Sequence, residues 1–463
     1  MIPGARCQTV LDILSEAAQS KAPLDRITTH HFRQRRYIGS HDRQAISQMV
    51  YGVIRHRRRL EYCLAQSGAE ESIRRMFLLY LKLYSPWQEK EIAGAFNGDK
   101  FCPDPLSNEE KALLTQTVIP AFSSVIPAKA GIHHSSDSAS AQWIPASAGM
   151  TSGDMPEDVA AECPPDFYRP LKSLFGDRFL DELKALNEEA GVDLRVNTLK
   201  AKPEEMLAEL KEAGLPIQKM PYSPIGLRLP TRLPLDRIPG LKDGKLEIQD
   251  ESSQIAAILL DVKSGQRVLD LCAGAGGKSL ALASLMNGRG RIVATDVDAK
   301  RLANAKARIK RSGAQNIELR QIEGLEDKWL KRQEKTFDRV LVDAPCSGSG
   351  TWRRNPDARF RYKQADIERL QQTQITLLQA ALPLLKKGGY LIYATCSLLR
   401  EENEEVVAAA LKDQPSYQQL KIAEFWPDFF AAPYPGNQDS AALRLTPAQH
   451  GVDGFVMSLM EKI

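Results

Sequence analysis

Across residues 1–98 the apolar positions return at three- and four-residue spacing, as in "ARCQTVLDILSEAA" and "SHDRQAISQMVYGVIRHRRRLEYCLAQ". That period predicts an all-helical region. Ser40 stands where the N-cap of the second run is expected. The Arg55–Arg59 cluster falls near that run's end, where positive charge complements the helix dipole. From 118 to 153 the pattern stops. The stretch is rich in Ser, Ala, Gly and Pro and repeats itself, Ile-Pro-Ala-Lys-Ala-Gly at 126–131 against Ile-Pro-Ala-Ser-Ala-Gly at 144–149. Such a composition buries little surface and reads as an insertion or linker, with His133 and His134 solvated rather than ligating. Residues 166–240 then give a helix, an extended "VDLRVNTLK", a helix "PEEMLAELKEAG" and a strand–turn region, a small α+β module. From 245, short β-rich runs ("QRVLDLC", "RIVATDV", "NIELRQI", "DRVLVDA", "GYLIYAT") alternate with helical ones, which implies a parallel sheet wrapped by helices on both faces. The expected parts are 1–110 helical, 111–165 insertion or linker, 166–244 small α+β module and 245–463 an α/β domain.

Composition adds little until it is localised. The chain has 463 residues, 43% hydrophobic and 26% charged, within the range of soluble multidomain proteins. Its net charge is only +4, yet residues 1–65 hold eleven Lys/Arg against five acids. That surplus suits a phosphate-rich partner, and a solvated helix face is the plain alternative. No basic start precedes an apolar leader run, and no apolar stretch reaches the length of a membrane span. Seven cysteines (7, 63, 102, 163, 272, 346 and 396) form no C-x-x-C pair, which argues against a zinc site or a disulfide framework. A cytoplasmic protein with reduced thiols and no metal is expected.

The first chemical signal is "VLDLCAGAGGKSLALA" (268–283), a strand, a glycine-rich turn and a helix. Gly274, Gly276 and Gly277 let the backbone approach a ligand at the helix N-terminus. The next strand ends in Asp296, where an acid can hold the ribose hydroxyls of an adenosine. NAD, FAD and S-adenosylmethionine all fit this pattern. Asp296 as a mere helix cap is the competing reading, although Asp298 could serve that end equally well.

Cys346 follows the run "RVLVDA" and Cys396 follows "YLIYAT", so both should emerge at the carboxyl edge where α/β sheets bind ligands. Two thiols, a carboxylate and an adenosine-type cofactor fit carbon methylation of a pyrimidine. A thiolate adding to C6 makes C5 nucleophilic, and a base must then remove the C5 proton. One cysteine would attack and the other assist release, while Asp343 would hydrogen-bond the base edge. The other cysteines are expected to be buried core residues. A redox pair is the alternative for Cys346 and Cys396.

These segments carry a resemblance. "DLCAGAGGKS", "DAPCSGSGTWRRNPD" and "YATCSLLREENE" resemble the signatures of the RsmB/NOP (Sun-like) family of S-adenosylmethionine-dependent RNA cytosine-5 methyltransferases. "LEIQDESSQIAA" (246–257) and "GVDGFVMSLM" (451–460) are similar to its flanking motifs, and "LRVNTLK" to its preceding RNA-binding module. "DRQAISQMVYGVIRHRRRL" resembles the start of the NusB-like helical domain of its ribosomal RNA members. The resemblance implies a Rossmann-like class I methyltransferase domain preceded by a small RRM-like α+β module and an all-α NusB-like domain. It also implies Cys396 as nucleophile, Cys346 as the residue assisting release, and Asp343 in the pocket. Cofactor contacts would come from Cys272, Ala273, Gly274, Ala275, Gly276, Gly277, Lys278, Asp296, Glu323 and Asp343, with Ala275 replacing a proline common in the family.

The target cytosine must be unpaired or flipped to reach such a pocket. Trp352, Arg353 and Arg354, with Arg359, Arg361 and Lys363 beyond them, offer a stacking face and phosphate contacts. The basic N-terminal region would be a second grip. The expectation is therefore a monomeric methyltransferase acting on 16S ribosomal RNA. A tRNA substrate comes second, DNA cytosine methylation is disfavoured by the second cysteine, and a non-catalytic RNA-binding assembly factor is the alternative class.

Overall fold

The periodic N-terminal stretch forms helices Pro3–Gln19, Leu24–Gln34, Ser40–Arg55, Arg57–Gln66, Ile73–Tyr84 and Glu89–Ala95. Cys7, Val10, Leu11 and Leu14 line one face of the first, and Ile46, Val50 and Val53 one face of the third, closing a core around Phe77, Leu78 and Phe96. The computed structural model describes residues 1–20, 22–116, 155–231 and 233–463. It divides into a helical unit, Met1–Pro165, and a second unit, Asp166–Ile463. No helix among the described residues is long and apolar enough to cross a membrane.

Three expectations for the helical unit need correction. Ser40 is the first helical residue and Gly39 occupies the cap position. The long run from 40 also breaks at His56, so Arg57, Arg58 and Arg59 open a new helix, where the dipole disfavours them. Carboxylates offset that placement: Arg57 pairs with Glu61 at 2.6 Å, Arg58 with Asp158 at 2.8 Å and Arg59 with Glu162 at 3.5 Å. Glu162, almost fully buried, also accepts the Arg58 backbone N–H at 2.9 Å. Part of the N-terminal charge surplus is thus internal. Finally, 111–116 and 155–165 are not linker. Helix Asn108–Gln116 buries Leu113 and Leu114 in the helical core, and helix Glu157–Ala160 stands among the carboxylates just named. The repeats at 126–131 and 144–149, with His133 and His134, lie outside the described residues.

The second unit begins with helices Pro165–Phe175 and Phe179–Asn187, followed by strand β1 (Val192–Val196), helix Pro203–Glu212, and strands β2 (Gln218–Lys219), β3 (Gly226–Leu229) and β4 (Leu246–Ile248). These strands form an antiparallel sheet in the order β2-β3-β1-β4. β4 therefore belongs to the small sheet, pairing Leu246 with Val196, rather than to the α/β domain as the boundary at 244 implied.

The larger sheet contains β5 (Arg267–Asp270), β6 (Arg291–Asp296), β7 (Ile317–Gln321), β8 (Phe337–Asp343), β9 (Leu385–Thr395), β10 (Tyr417–Leu420), β11 (Ala442–Leu445) and β12 (Phe455–Lys462). Its order is β10-β12-β9-β8-β5-β6-β7, with β11 also on β12. The five predicted strands are parallel to one another. The sheet as a whole is mixed, because β12 runs antiparallel between β9 and β10. Leu269, Val293, Val340, Val342 and Leu391 fill one face and Val268, Ile292, Leu341 and Ile392 the other, as expected of strands covered on both sides.

Candidate active site: a glycine turn beside two thiols

β5 ends at Asp270 and helix Gly277–Leu285 starts seven residues later. The turn between them needs glycine at 274 and 276, where φ is 55° and 77°. Its amides are fastened to β6 and to the turn itself: Ala273 N–H to the Thr295 carbonyl at 2.8 Å, Gly274 N–H to Asp296 at 2.9 Å and Gly276 N–H to the Ala273 carbonyl at 2.8 Å. Asp298, not Asp296, caps helix Ala299–Ser312, accepting from Lys300 N–H at 2.7 Å. That leaves Asp296 at the carboxyl end of β6 with its side chain turned to the glycine turn. Glu323 is exposed just past β7. Gly274, Asp296 and Glu323 thus follow the ends of three neighbouring strands, β5, β6 and β7. A Cβ added at Gly274 would meet nothing within 4 Å, so the turn faces open space at that residue. These residues fit an adenosine cofactor.

Beneath the turn, Asp270 is fully buried and its carboxyl is held up to about 7, by burial first, against the hydrogen bond from Ser279 at 2.6 Å. Burial also raises the partly buried Cys272 thiol, with Asp270, Asp343 and Asp296 adding to the effect. Lys278, on the helix, places Nζ 2.7 Å from Asp343 at the end of β8. Burial alone would lower that ammonium. Asp343, Asp270 and the Cys396 sulfur turn the net shift upward and keep it charged.

The two cysteines leave adjacent strands, Cys346 after β8 and Cys396 after β9, and their Sγ atoms stand 3.3 Å apart. Backbone and buried side chains fix this approach. Gly350 N–H donates to the Cys396 carbonyl at 2.9 Å, and Gly454 N–H to the Gly350 carbonyl at 2.8 Å. A Cβ on Gly350 would lie 2.0 Å from the Gly454 oxygen, so only glycine fits. Glu402, fully buried, accepts the Ser347 N–H at 2.8 Å and its hydroxyl, and Gln374 bridges Glu402 and the Pro345 carbonyl at 3.0 and 2.8 Å. Asn403 accepts from Thr395 at 2.7 Å and donates to the carbonyls of Ser397 and Leu399. The Cys346 thiol is pushed well up, first by its hydrogen bond with Cys396 and then by burial. It therefore stays protonated. Among the described residues no cluster of three or more His, Cys, Asp or Glu could hold a metal ion.

Two family descriptions match this unit: "16S rRNA methyltransferase RsmB/F" over residues 257–461, and an RsmF/B-like ferredoxin-like domain over 164–236. A solved methyltransferase homolog protein from Pyrococcus horikoshii is 30% identical, with a TM-score of 0.57 over 66% of this chain and 97% of its own. The chain belongs to the RsmB/F methyltransferase family. Curated relatives include the probable ribosomal RNA small subunit methyltransferase B of Bacillus subtilis, 34% identical over 58% of this chain and 59% of its own length. The ribosomal RNA small subunit methyltransferase B of Klebsiella pneumoniae is 37% identical over 53% and 56%. The chain thus spans a little under three fifths of the curated relatives it matches. The solved protein PH0851 shares the fold, with a TM-score of 0.76 at 24% identity over 100% of this chain and 99% of its own.

Within this RsmB/F fold the expected RNA-facing loop turns out to be interior. Trp352 is fully buried, edge-on to Phe167 at 5.2 Å with the Arg359 guanidinium 5.0 Å from its ring. It has no face to offer a base. Arg354 lies among three carboxylates: it pairs with Asp453, reaches Asp250 at 3.2 Å and Asp193 at 3.5 Å, and donates to the Gly191 carbonyl at 3.0 Å. Arg353, mostly buried, donates to the Gly451 carbonyl at 3.4 Å. The apolar strands and the buried Phe167 pull this loop inward, which a run of Trp and Arg does not announce. Sequence reasoning also passed over Glu402, Gln374 and Asn403. The third signature holds Glu402 and Asn403, where charged "REENEE" closely follows a buried strand, whereas Gln374, on helix Gln364–Ala381, carried no signal.

Proposed function

We propose that the protein transfers a methyl group from S-adenosylmethionine to C5 of a cytosine in RNA, with small-subunit ribosomal RNA as the substrate. The observation that carries this reading is the 3.3 Å approach of Cys346 and Cys396 at the sheet edge shared with the glycine turn. The names of the curated relatives support the ribosomal substrate. Bound to the turn through residues 272–278, Asp296 and Glu323, the cofactor would supply an electrophilic methyl group.

The chain's own residues divide the remaining work. Cys396 adds as thiolate to C6 of the cytosine, forming the C–S bond that makes C5 nucleophilic. Asp343 holds the base edge, and the ammonium of Lys278 beside it stabilises charge developing on the ring. Cys346 assists the second half, in which a base takes the C5 proton and the Cys396–C6 bond breaks, its electron pair returning to the Cys396 sulfur. For aromatic contact Tyr362 replaces Trp352. It is half-buried and follows the Pro-Cys turn by sixteen residues, and its phenol is raised by burial first and then by Cys346. Phosphate contacts fall to exposed cations: Arg33 and Arg36, just before the 75%-exposed Tyr37, and Lys300, Lys306 and Lys310.

The test is Cys346→Ala incubated with total RNA and S-adenosylmethionine on a denaturing gel. A protein–RNA adduct that disappears when Cys396→Ala is added supports both roles, and sequencing the trapped RNA names the substrate. Adduct trapped by Cys396→Ala alone reverses the thiols. No adduct and no methyl transfer by the wild type overturns the reading.

A further inference from the structure

One polar group of the glycine turn is fastened from outside the turn and its flanking strands. Arg308, on helix Ala299–Ser312, donates through Nη1 to the Ala275 carbonyl at 3.0 Å. The same guanidinium donates through Nε and Nη2 to Glu247 Oε2 at 3.1 and 2.9 Å. Glu247 is on β4 of the small sheet, and its carboxylate is only 2% exposed. Its other oxygen takes Arg311 at 2.5 Å, and its cross-strand neighbour on β1 is the fully buried Arg195. One carboxylate therefore stands among three arginines. A Cβ added at Gly277 would sit 3.7 Å from both Nη atoms of Arg308, so the guanidinium lies directly against the turn.

We propose that Arg308 and Glu247 are positioning residues for the cofactor turn, so that the small antiparallel module sets the affinity for the methyl donor. The inference rests on the reading of that turn as the S-adenosylmethionine site. Each half of the strut depends on the other. Without Arg308, the Ala275 carbonyl loses its protein donor, and the turn loses a tie that runs through the helix to the small sheet. Without Glu247, Arg308 faces Arg311 and the buried Arg195 with no carboxylate between them, and repulsion drives it off the turn. Arginine is required because its planar fork serves a carboxylate and a carbonyl at once, whereas a lysine ammonium replaces only part of that geometry.

The test is calorimetric titration of S-adenosylhomocysteine into wild type, Arg308→Met, Arg308→Lys and Glu247→Gln, with steady-state methylation of an RNA transcript. Arg308→Met is expected to weaken binding about tenfold, the size of one lost charge-assisted hydrogen bond. Arg308→Lys should fall between it and wild type. The KM for S-adenosylmethionine should rise in step, while kcat and the KM for RNA stay at wild-type values. Glu247→Gln also disturbs β4, so the decision rests on the two Arg308 variants, each checked by thermal melting. Should Arg308→Met fail to fold, the charge-retaining Arg308→Lys decides by the same KM split. Binding within twofold of wild type, or a defect confined to kcat or to RNA, overturns the strut. Wild-type protein that binds no S-adenosylhomocysteine overturns the cofactor reading itself.

Discussion

Two arginines of the α/β domain reach the small antiparallel sheet, and their surroundings are opposite in sign. Arg308, under the glycine turn, shares the single carboxylate of Glu247 with Arg311, close to Arg195. Arg354, just past the Pro-Cys turn, meets Asp193, Asp250 and Asp453, with Arg228 and Glu251 extending the cluster. One brace is rich in cations and the other in acids. The cation-rich brace fails when its one carboxylate is lost. The acid-rich brace fails when its central arginine is lost, and it responds to protons, because two of its carboxyls, Glu251 and Asp453, change charge near neutral pH. The small module therefore anchors both halves of the candidate site, the cofactor turn and the thiol loop, by different electrostatics.

The sharpest way to break the comparison is Arg354→Met, which leaves three buried carboxylates without their common partner. A loss of about 3–5 kcal/mol is expected, the cost of stranding buried charge, measured by urea unfolding of the wild type and variant. Trp352→Ala should cost a similar or slightly smaller amount, about 3–4 kcal/mol, by emptying a core site. Trp352→Phe should leave RNA affinity unchanged in a filter-binding assay, whereas a surface stacking residue would lose it.

The pH response separates the two braces. Glu251 and Asp453 are held up to about 7, burial being the first cause in each, while unfolded carboxyls titrate near 4. The folded protein then binds more protons than the unfolded chain between about pH 4 and 7. The stability these groups contribute is complete below that window and is lost as pH rises through it. Asp250, held below its usual range despite burial, with Arg354 the leading cause of the lowering, titrates beneath the window. Melting temperature should fall from about pH 4 to 7 and level off above, and Asp453→Asn should flatten that slope. The smallest expected effect is on the surface: changing Lys306 and Lys310 to Gln should weaken RNA binding only a few-fold and reduce its salt dependence by roughly 0.7 per lost phosphate contact.

The helices of the first unit and the five parallel strands were legible because their apolar periods are local properties of the chain. The strand-exit positions of Cys346, Cys396 and Asp296 followed from the same pattern. The antiparallel β12 was not, since nothing in "GFVMSLMEK" says which way it runs or that it pairs with Thr395. β4 was misplaced for a related reason: three residues show no period, and only its pairing with β1 assigns it. The arginines were the hardest to read. Arg308, Arg354 and Arg359 look alike in sequence to Lys306 or Arg361, and burial depends on partners tens to hundreds of residues away, such as Asp193 for Arg354. Charge alone marks a phosphate contact and a buried brace identically.

The place of β12 bears on how the molecule is made. It lies inside the sheet, against the strand that carries the Thr-Cys turn, with Val456 opposite Thr395 and Glu461 opposite Tyr390. Until residues 455–462 have left the ribosome, β9 has a bare hydrogen-bonding edge and the Gly350–Gly454 contact cannot form. An unpaired β9 edge also invites pairing with another chain. Pairing of β12 thus closes the edge of the strand that leads to Cys396, and the thiol loop is held only once that pairing is made.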